Sequence, residues 1–289
     1  MDMTYTSPVD KLLTLGKPES SSPEKWPNYL ELGLGPEHIP ELIRMATDPE
    51  FRGPKAQEES EEDDPDFWSP LHAIRALGQL HAEAAIEPLV NMLPEVINDD
   101  WIQEELPQVF VLIGPPAIPA LSAYLTDSSN DMYSRGSAAE NLETIGRRYP
   151  ESRSECISII SKQLEKFEEN DYELNAFLIA TLSRLKAVET LPLIELAFEA
   201  DRVDDFVIDL DDVLVSFGLK EREIVESPFL EMFKELSASR AKQNETSSPT
   251  PEESHLLPPP PARTLSYSSD KIIKFSGKRV TKKKSKKKR

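Results

Sequence analysis

The chain has 289 residues, of which 38% are hydrophobic and only 7% aromatic. That length holds one elongated domain with tails, and the balance suits a helical Ala/Leu/Ile core better than a compact β protein. The formal charge of −19 is uneven: residues 271–289 carry 11 Lys and Arg and no acid, leaving 22 basic against 52 acidic residues elsewhere, or −30, and a body of that sign repels phosphate.

Residues 1–27 are polar and rich in Ser and Pro, so they are expected to be loosely ordered, with one short helical turn over 9–15. A helix pair is expected over 27–48. Leu30, Leu32 and Leu34 close its first helix at Gly35-Pro36, and Ile39, Leu42, Ile43 and Ala46 share one face of the second. The acidic stretch 57–66 holds Glu58, Glu59, Glu61, Glu62, Asp63, Asp64 and Asp66. It cannot bury itself and reads as a solvated loop inserted into the repeat domain.

Trp68-Ser69-Pro70 opens the second pair, with Ser69 placed to cap and Pro70 at the first helical position. Its core faces are Leu71, Ile74 and Leu77, then Ile86, Leu89, Val90 and Leu93. The third pair uses Ile102, Leu106, Val109, Phe110 and Ile113, then Ile118, Leu121, Tyr124 and Leu125. The fourth uses Ala138, Leu142 and Ile145, then Cys156, Ile157, Ile160, Leu164 and Phe167. The fifth runs from Leu174 to Leu185, then from Leu191 to Phe198. A partial sixth covers 206–217 and 228–236. A Pro/Ser-rich linker follows over 238–269, ahead of a basic tail over 270–289.

The punctuation of these segments is periodic. Glycines end apolar runs at 35, 78, 114, 146 and 218; Gly78, Gly114 and Gly146 recur after 36 and 32 residues, and Gly218 after a further 72. Prolines follow at Pro40, Pro88, Pro119 and Pro192. This predicts an all-α, right-handed α-α superhelix of five to six helix pairs over 28–237, with disordered termini. Each glycine is expected left-handed just past a first helix, and each proline in the first turn of a second.

A Leu-Gly ending the first helix and a proline opening the second resembles HEAT-like repeats, in particular the short type found in phycobilisome lyases. The clearest unit is HAIRALGQLHAEAAIEPLVNML, residues 72–93, followed by 109–125 and 177–198. The whole chain is also similar to an uncharacterised bacterial group of HEAT-like proteins. Some members of that group end in a zinc motif with a Cys-Gly-Ser-Gly-Lys-Lys core. Here Ser276-Gly277-Lys278-Arg279 has no cysteine, so a zinc role does not carry over.

Catalytic patterns are scarce. The chain has no His-Glu dipeptide of the kind that HEAT-repeat hydroxylases use to hold iron, and its histidines, His38, His72, His81 and His255, are scattered. Cys156 lies on an apolar face and reads as a buried small hydrophobe; as the lone cysteine it excludes an internal disulfide. Asp209, Asp211 and Asp212 run into Val213 and Leu214, which is an acidic helix rather than a calcium loop. Trp26, Trp68 and Trp101 sit near helix starts, where they are expected to wedge between repeats. No signal peptide and no apolar run long enough to span a membrane is evident.

These readings make the chain a non-catalytic HEAT-repeat scaffold or adaptor for a protein partner, cytoplasmic, or nuclear in a eukaryote, with no cofactor and no metal. An RNA- or ribosome-associated protein using the tail is the alternative; a lyase- or chaperone-like enzyme of the phycobilisome-lyase type is third. Candidate interaction residues are Lys282, Lys283, Lys284, Lys286, Lys287, Lys288 and Arg289 in the tail and Glu58, Glu59, Glu61, Glu62, Asp63 and Asp64 in the acidic run. The tail's candidate ligands are nucleic acid, an anionic membrane surface and the chain's own acidic body.

Overall fold

A computed structural model describes residues 5–48, 64–97 and 99–221. Among them the fold is all-α. In chain order the helices are α1 (Ile39–Ala46), α2 (Ser69–Gln79), α3 (Ile86–Val90), α4 (Asp100–Ile113), α5 (Ile118–Thr126), α6 (Met132–Arg148), α7 (Arg153–Leu164), α8 (Tyr172–Arg184), α9 (Leu191–Glu199) and α10 (Leu210–Ser216). The linker and tail residues, the 228–236 segment and all but the end of the acidic run lie outside the described residues.

The helices stack in two rows. In one row α2 packs on α4, α4 on α6, α6 on α8 and α8 on α10. In the other α3 packs on α5 and α5 on α7, while α5, α7 and α8 each pack across the rows onto a chain neighbour. The first row is the more enclosed: Leu174–Ser183 of α8 and Ser69–Gly78 of α2 are buried on every face. Each unit has too little apolar surface to close a core alone, so its stability comes from its neighbours.

Local chemistry sets the helix boundaries. Asp99 and Asp131 cap α4 and α6, each carboxylate accepting from two backbone N–H groups at 3.0–3.1 Å, and Asp209 caps α10 at 2.7 Å. Prolines 40, 119 and 192 lie in the first turns of α1, α5 and α9, as the spacing requires. Ser69 does not cap as expected. It is already helical, and its hydroxyl donates to Asp66 O at 2.7 Å.

The periodic glycines divide into three kinds. Gly114 and Gly218 have φ of +89° and +74° and end their helices as expected. Gly78 and Gly146 instead sit inside α2 and α6. There an added Cβ would come within 3.1 Å of Leu112 and within 3.2 Å of Cys156 and Leu185. These two are kept for close helix approach, and the left-handed position after α2 passes to His81, at φ 49°. Gly35 is extended, with φ −140°.

Three further expectations are corrected. The first helix of the 27–48 pair is only two short 3-10 turns, Tyr29–Leu32 and Pro36–His38, and Leu30 is exposed. Phe206 is no core residue; it is 99% exposed in the loop before α10. Residues 5–27 are not loose. Tyr5, Val9, Leu12 and Trp26 are buried, Tyr5 Oη donates to Asp48 at 3.0 Å, and Thr6 bonds the Glu41 carboxylate through N–H and hydroxyl. Alternating apolar residues were too few to signal this, because polar contacts to α1 and α2 do much of the holding.

Candidate functional site

The leading segment lies on α2, and three α2 side chains hold its main chain. His72, Arg75 and Gln79 are spaced three and four residues apart, so they share one helix face. His72 Nε2 contacts Gly16 O at 2.8 Å, Arg75 Nη2 donates to Ser20 O at 2.7 Å, and Gln79 Nε2 donates to Pro27 O at 2.9 Å. Gln79 Oε1 also accepts from Tyr29 N at 2.9 Å. Apart from the 3-10 turn Pro23–Lys25, the chain from Gly16 to Asn28 has no regular structure. Its backbone groups therefore need outside partners, and α2 supplies them.

Beneath the segment lies a buried ion pair. Arg75 and Glu105 of α4 are 1% and 0% exposed and in direct contact. Trp26 stacks over the guanidinium at 4.9 Å and so covers the pair from the solvent side. Two atoms stay unmatched: Arg75 Nε and Glu105 Oε2 are buried with no hydrogen-bond partner in the protein. Burial pushes the Glu105 carboxyl above its usual range despite the adjacent guanidinium.

Burial disfavours a charge on His72. Gly16 O can only accept, so Nε2 carries a proton, and in the neutral ring Nδ1 accepts from Tyr29 Oη at 2.7 Å. Burial lowers the His72 pKa, and the neighbouring Arg75 charge adds to this. Burial likewise raises the Tyr29 phenol.

The seam between α2 and α4 that the leading segment covers, called the groove below, begins at an aromatic notch. Trp68 precedes α2 and Trp101 begins α4; their rings meet edge to face at 5.1 Å. Lys17 of the leading segment places its ammonium 5.0 Å from the Trp68 ring and 5.8 Å from the Trp101 ring. The expected wedging role thus holds for Trp68 and Trp101, which touch across adjacent units, with a lysine added. All three tryptophans of the chain lie along this groove.

A second polar cluster joins α6 and α8. Arg184 bonds Glu143 at 2.8 Å and Glu140 at 3.2 Å, and Arg147 reaches Glu143 at 3.3 Å. Burial raises the Glu140 carboxyl. A small depression lined by Gln103, Leu106, Pro107, Ser137, Glu140 and Asn141 adjoins it. The cluster's charges are matched within itself, so it reads as a brace between α6 and α8.

Of the candidate interaction residues named from the sequence, the structure describes only one. Asp64 is exposed, and its carbonyl accepts from Phe67 N at 3.2 Å. Glu58, Glu59, Glu61, Glu62, Asp63 and the tail residues Lys282 to Arg289 lie outside the described residues. Arg75, Gln79 and Glu105 escaped sequence reading, and His72 was named there only as one of the scattered histidines. The available signal was the run of polar residues at helical spacing within otherwise apolar helices. Cys156 is fully buried, and burial lifts its thiol to about 11, which keeps it from acting as a thiolate near neutral pH. Among the described residues, no group of three or more His, Cys, Asp or Glu side chains is placed to hold a metal. Nor is any single helix among them long and apolar enough to cross a membrane; α4 with Pro115–Thr126 has that length only as a pair bent by 114°.

The sequence profile of a family described as "protein of unknown function (DUF1186)" matches residues 39–234, more than half of the chain. The chain belongs to the DUF1186 family. The DUF1186 match starts at the first residue of α1 and spans every helix from α1 to α10, so the leading segment lies before it. No curated protein and no solved structure matches the chain.

Proposed function

We propose that this DUF1186 protein is a non-catalytic, HEAT-like scaffold or adaptor that holds partners as peptide segments in the groove between α2 and α4. The observation that carries this reading is the grip of His72, Arg75 and Gln79 on main-chain atoms of residues 16–29. Side chains that recognise backbone atoms select for a peptide rather than for one sequence, and flanking aromatic contacts add the sequence preference. The stack of helices keeps the groove's two walls rigid relative to each other.

Cross-linking mass spectrometry on the full chain with a captured partner tests it. Partner cross-links should concentrate on α2 and α4 and fall when a free peptide of residues 14–29 is added in excess. Cross-links confined to other helices, or unaffected by that peptide, contradict the reading. The alternative, RNA binding through Lys282 to Arg289, is favoured by the tail's charge in the sequence. It predicts instead that nuclease treatment strips the bound material.

A further inference from the structure

The repeats carry a second periodic feature, beyond the α2–α4 groove. Three aspartates each accept, through Oδ1, from the backbone N–H of an aromatic residue two positions on: Asp99 from Trp101, Asp131 from Tyr133 and Asp204 from Phe206, each at 3.0 Å. Tyr172 is the first residue of α8, directly after Asp171. The helices α4, α6, α8 and α10 run in one direction. Their starts meet: Gln103 and Ser137 line one depression, Tyr133 and Phe177 have ring centroids 6.1 Å apart, and Asp204 N donates to Tyr172 O at 3.3 Å. Their ends meet too: Tyr149 Oη donates to Val111 O at 2.9 Å, Arg184 Nε to Glu143 at 2.8 Å and Lys186 Nζ to Ser216 O at 2.8 Å. The aromatic residues therefore share one edge of the stack. Trp68 and Lys17 cover part of Trp101 there, whereas Tyr133, Tyr172 and Phe206 are 38%, 45% and 99% exposed. Single exposed apolar residues are ordinary, but a row of three along successive repeats marks an interaction surface.

We propose that Tyr133, Tyr172 and Phe206 form a docking ridge for a basic, proline-rich segment of a partner protein, bound in the extended polyproline conformation. Spacing selects the conformation. Packed helices lie about 8–10 Å apart, and one turn of a polyproline helix advances about 9 Å over three residues. Every third residue of such a segment thus meets the next aromatic ring. A β-strand shows the same face after about 7 Å and drifts out of register. Chemistry agrees: proline rings pack on aromatic faces, and their conformation is set before binding, so little freedom is lost. Charge selects the flanking residues. Asp131, Asp171 and Asp205 are exposed next to the three rings in sequence. The neighbouring Arg135 and Arg202 are turned onto carbonyls, Arg135 Nε onto Leu125 O at 2.8 Å and Arg202 Nη2 onto Glu168 O and Asn170 O at 2.7 Å. A basic residue between prolines therefore meets carboxylates along the ridge.

The test uses the full chain and a fluorescein-labelled peptide, RPPRPPRPP, read by anisotropy. A second peptide, RGGRGGRGG, carries the same charge without the polyproline preference. The proline peptide should bind at least about tenfold tighter than the glycine peptide, because it loses less freedom on binding. Phe206→Ser and Tyr133→Ser should each weaken it about tenfold, as expected for an aromatic anchor. Phe206 is 99% exposed, so Phe206→Ser should leave the melting temperature unchanged while it weakens binding. Asp205→Asn should weaken binding more at low salt than at high salt. Equal affinity for the two peptides, or a Phe206→Ser chain that binds as tightly as the parent, overturns the proposal. Sedimentation that shows the chain pairing with itself, with pairing lost in Phe206→Ser and untouched by excess proline peptide, would assign the ridge to a second copy and overturn it as well.

Discussion

Lys186 reaches across one repeat to Ser216: its Nζ donates to Ser216 O at 2.8 Å, at the end of α10, while its own backbone ends α8 at φ 54°. His81 does the same at the start of that row of helices. It ends α2 at φ 49°, and its Nδ1 donates to Leu112 O near the end of α4. Both ends carry the same backbone pattern, in which Ala82 N donates to Leu77 O and Ala187 N to Leu182 O; Leu219 N to Leu214 O repeats it after α10. A donor side chain from one unit thus satisfies the terminal carbonyls of the next, where the helix dipole also favours a positive group.

This linkage predicts different costs for two substitutions at one position. Lys186→Met keeps the strained backbone and loses the bond, and should destabilise by about 0.5–1.5 kcal/mol. Lys186→Gly loses the bond but relieves the left-handed strain, and should come out within about 0.5 kcal/mol of the parent. Thermal melts of the two variants check the difference; if glycine is the more damaging, the left-handed backbone at Lys186 carries no strain.

Close packing at Gly136 gives a second prediction. A Cβ there would lie 2.7 Å from the Phe177 ring across the α6–α8 contact. Gly136→Ala should therefore cost about 1–3 kcal/mol, although alanine favours helix in isolation. Leu182→Asp, at a fully buried α8 position, should be more severe, because it buries an unpaired charge. Chemical denaturation ranks the two; a stabilised Gly136→Ala protein would mean that α6 and α8 do not approach as described.

His72 should make stability depend on pH. Its pKa is lowered in the fold, so the unfolded chain binds the extra proton first. Stability is then complete above the unfolded value of about 6.5 and falls as pH drops through the depressed folded value. Glu105 has the opposite sign: its raised pKa makes protonation favour the fold at more acidic pH. His72→Gln should remove the loss that begins just below pH 6.5, read from denaturation midpoints at a series of pH values. An unchanged pH profile would place the titration elsewhere.

Cys156 should resist chemistry. With no exposed surface and a thiol lifted to about 11, it should react with iodoacetamide at pH 8 only after unfolding. Rapid labelling of the folded protein would show that α7 opens locally.

Much of the helical order was legible, because prolines 40, 119 and 192 and the apolar spacing act locally. Gly78 and Gly146 misled because one residue type serves two needs, a left-handed turn and close approach, and only packing tells them apart. The leading segment was illegible for a related reason. Gly16, Ser20 and Pro27 contribute main-chain carbonyls to the groove, and a carbonyl has no sequence signature. Glu105 resembled any helical acid until Arg75 and Trp26 were seen to enclose it.

Residues 16–29 lie along α2 in the manner of a bound peptide. Amide hydrogen exchange on the full chain, with and without Gln79→Ala, tests it most directly. Gln79 accepts from Tyr29 N and donates to Pro27 O, so its loss should unprotect the amides around Tyr29 and raise exchange along the segment, with α6 to α10 unchanged. Protection around Tyr29 that is the same in both proteins, or lost evenly throughout the chain, would contradict the account.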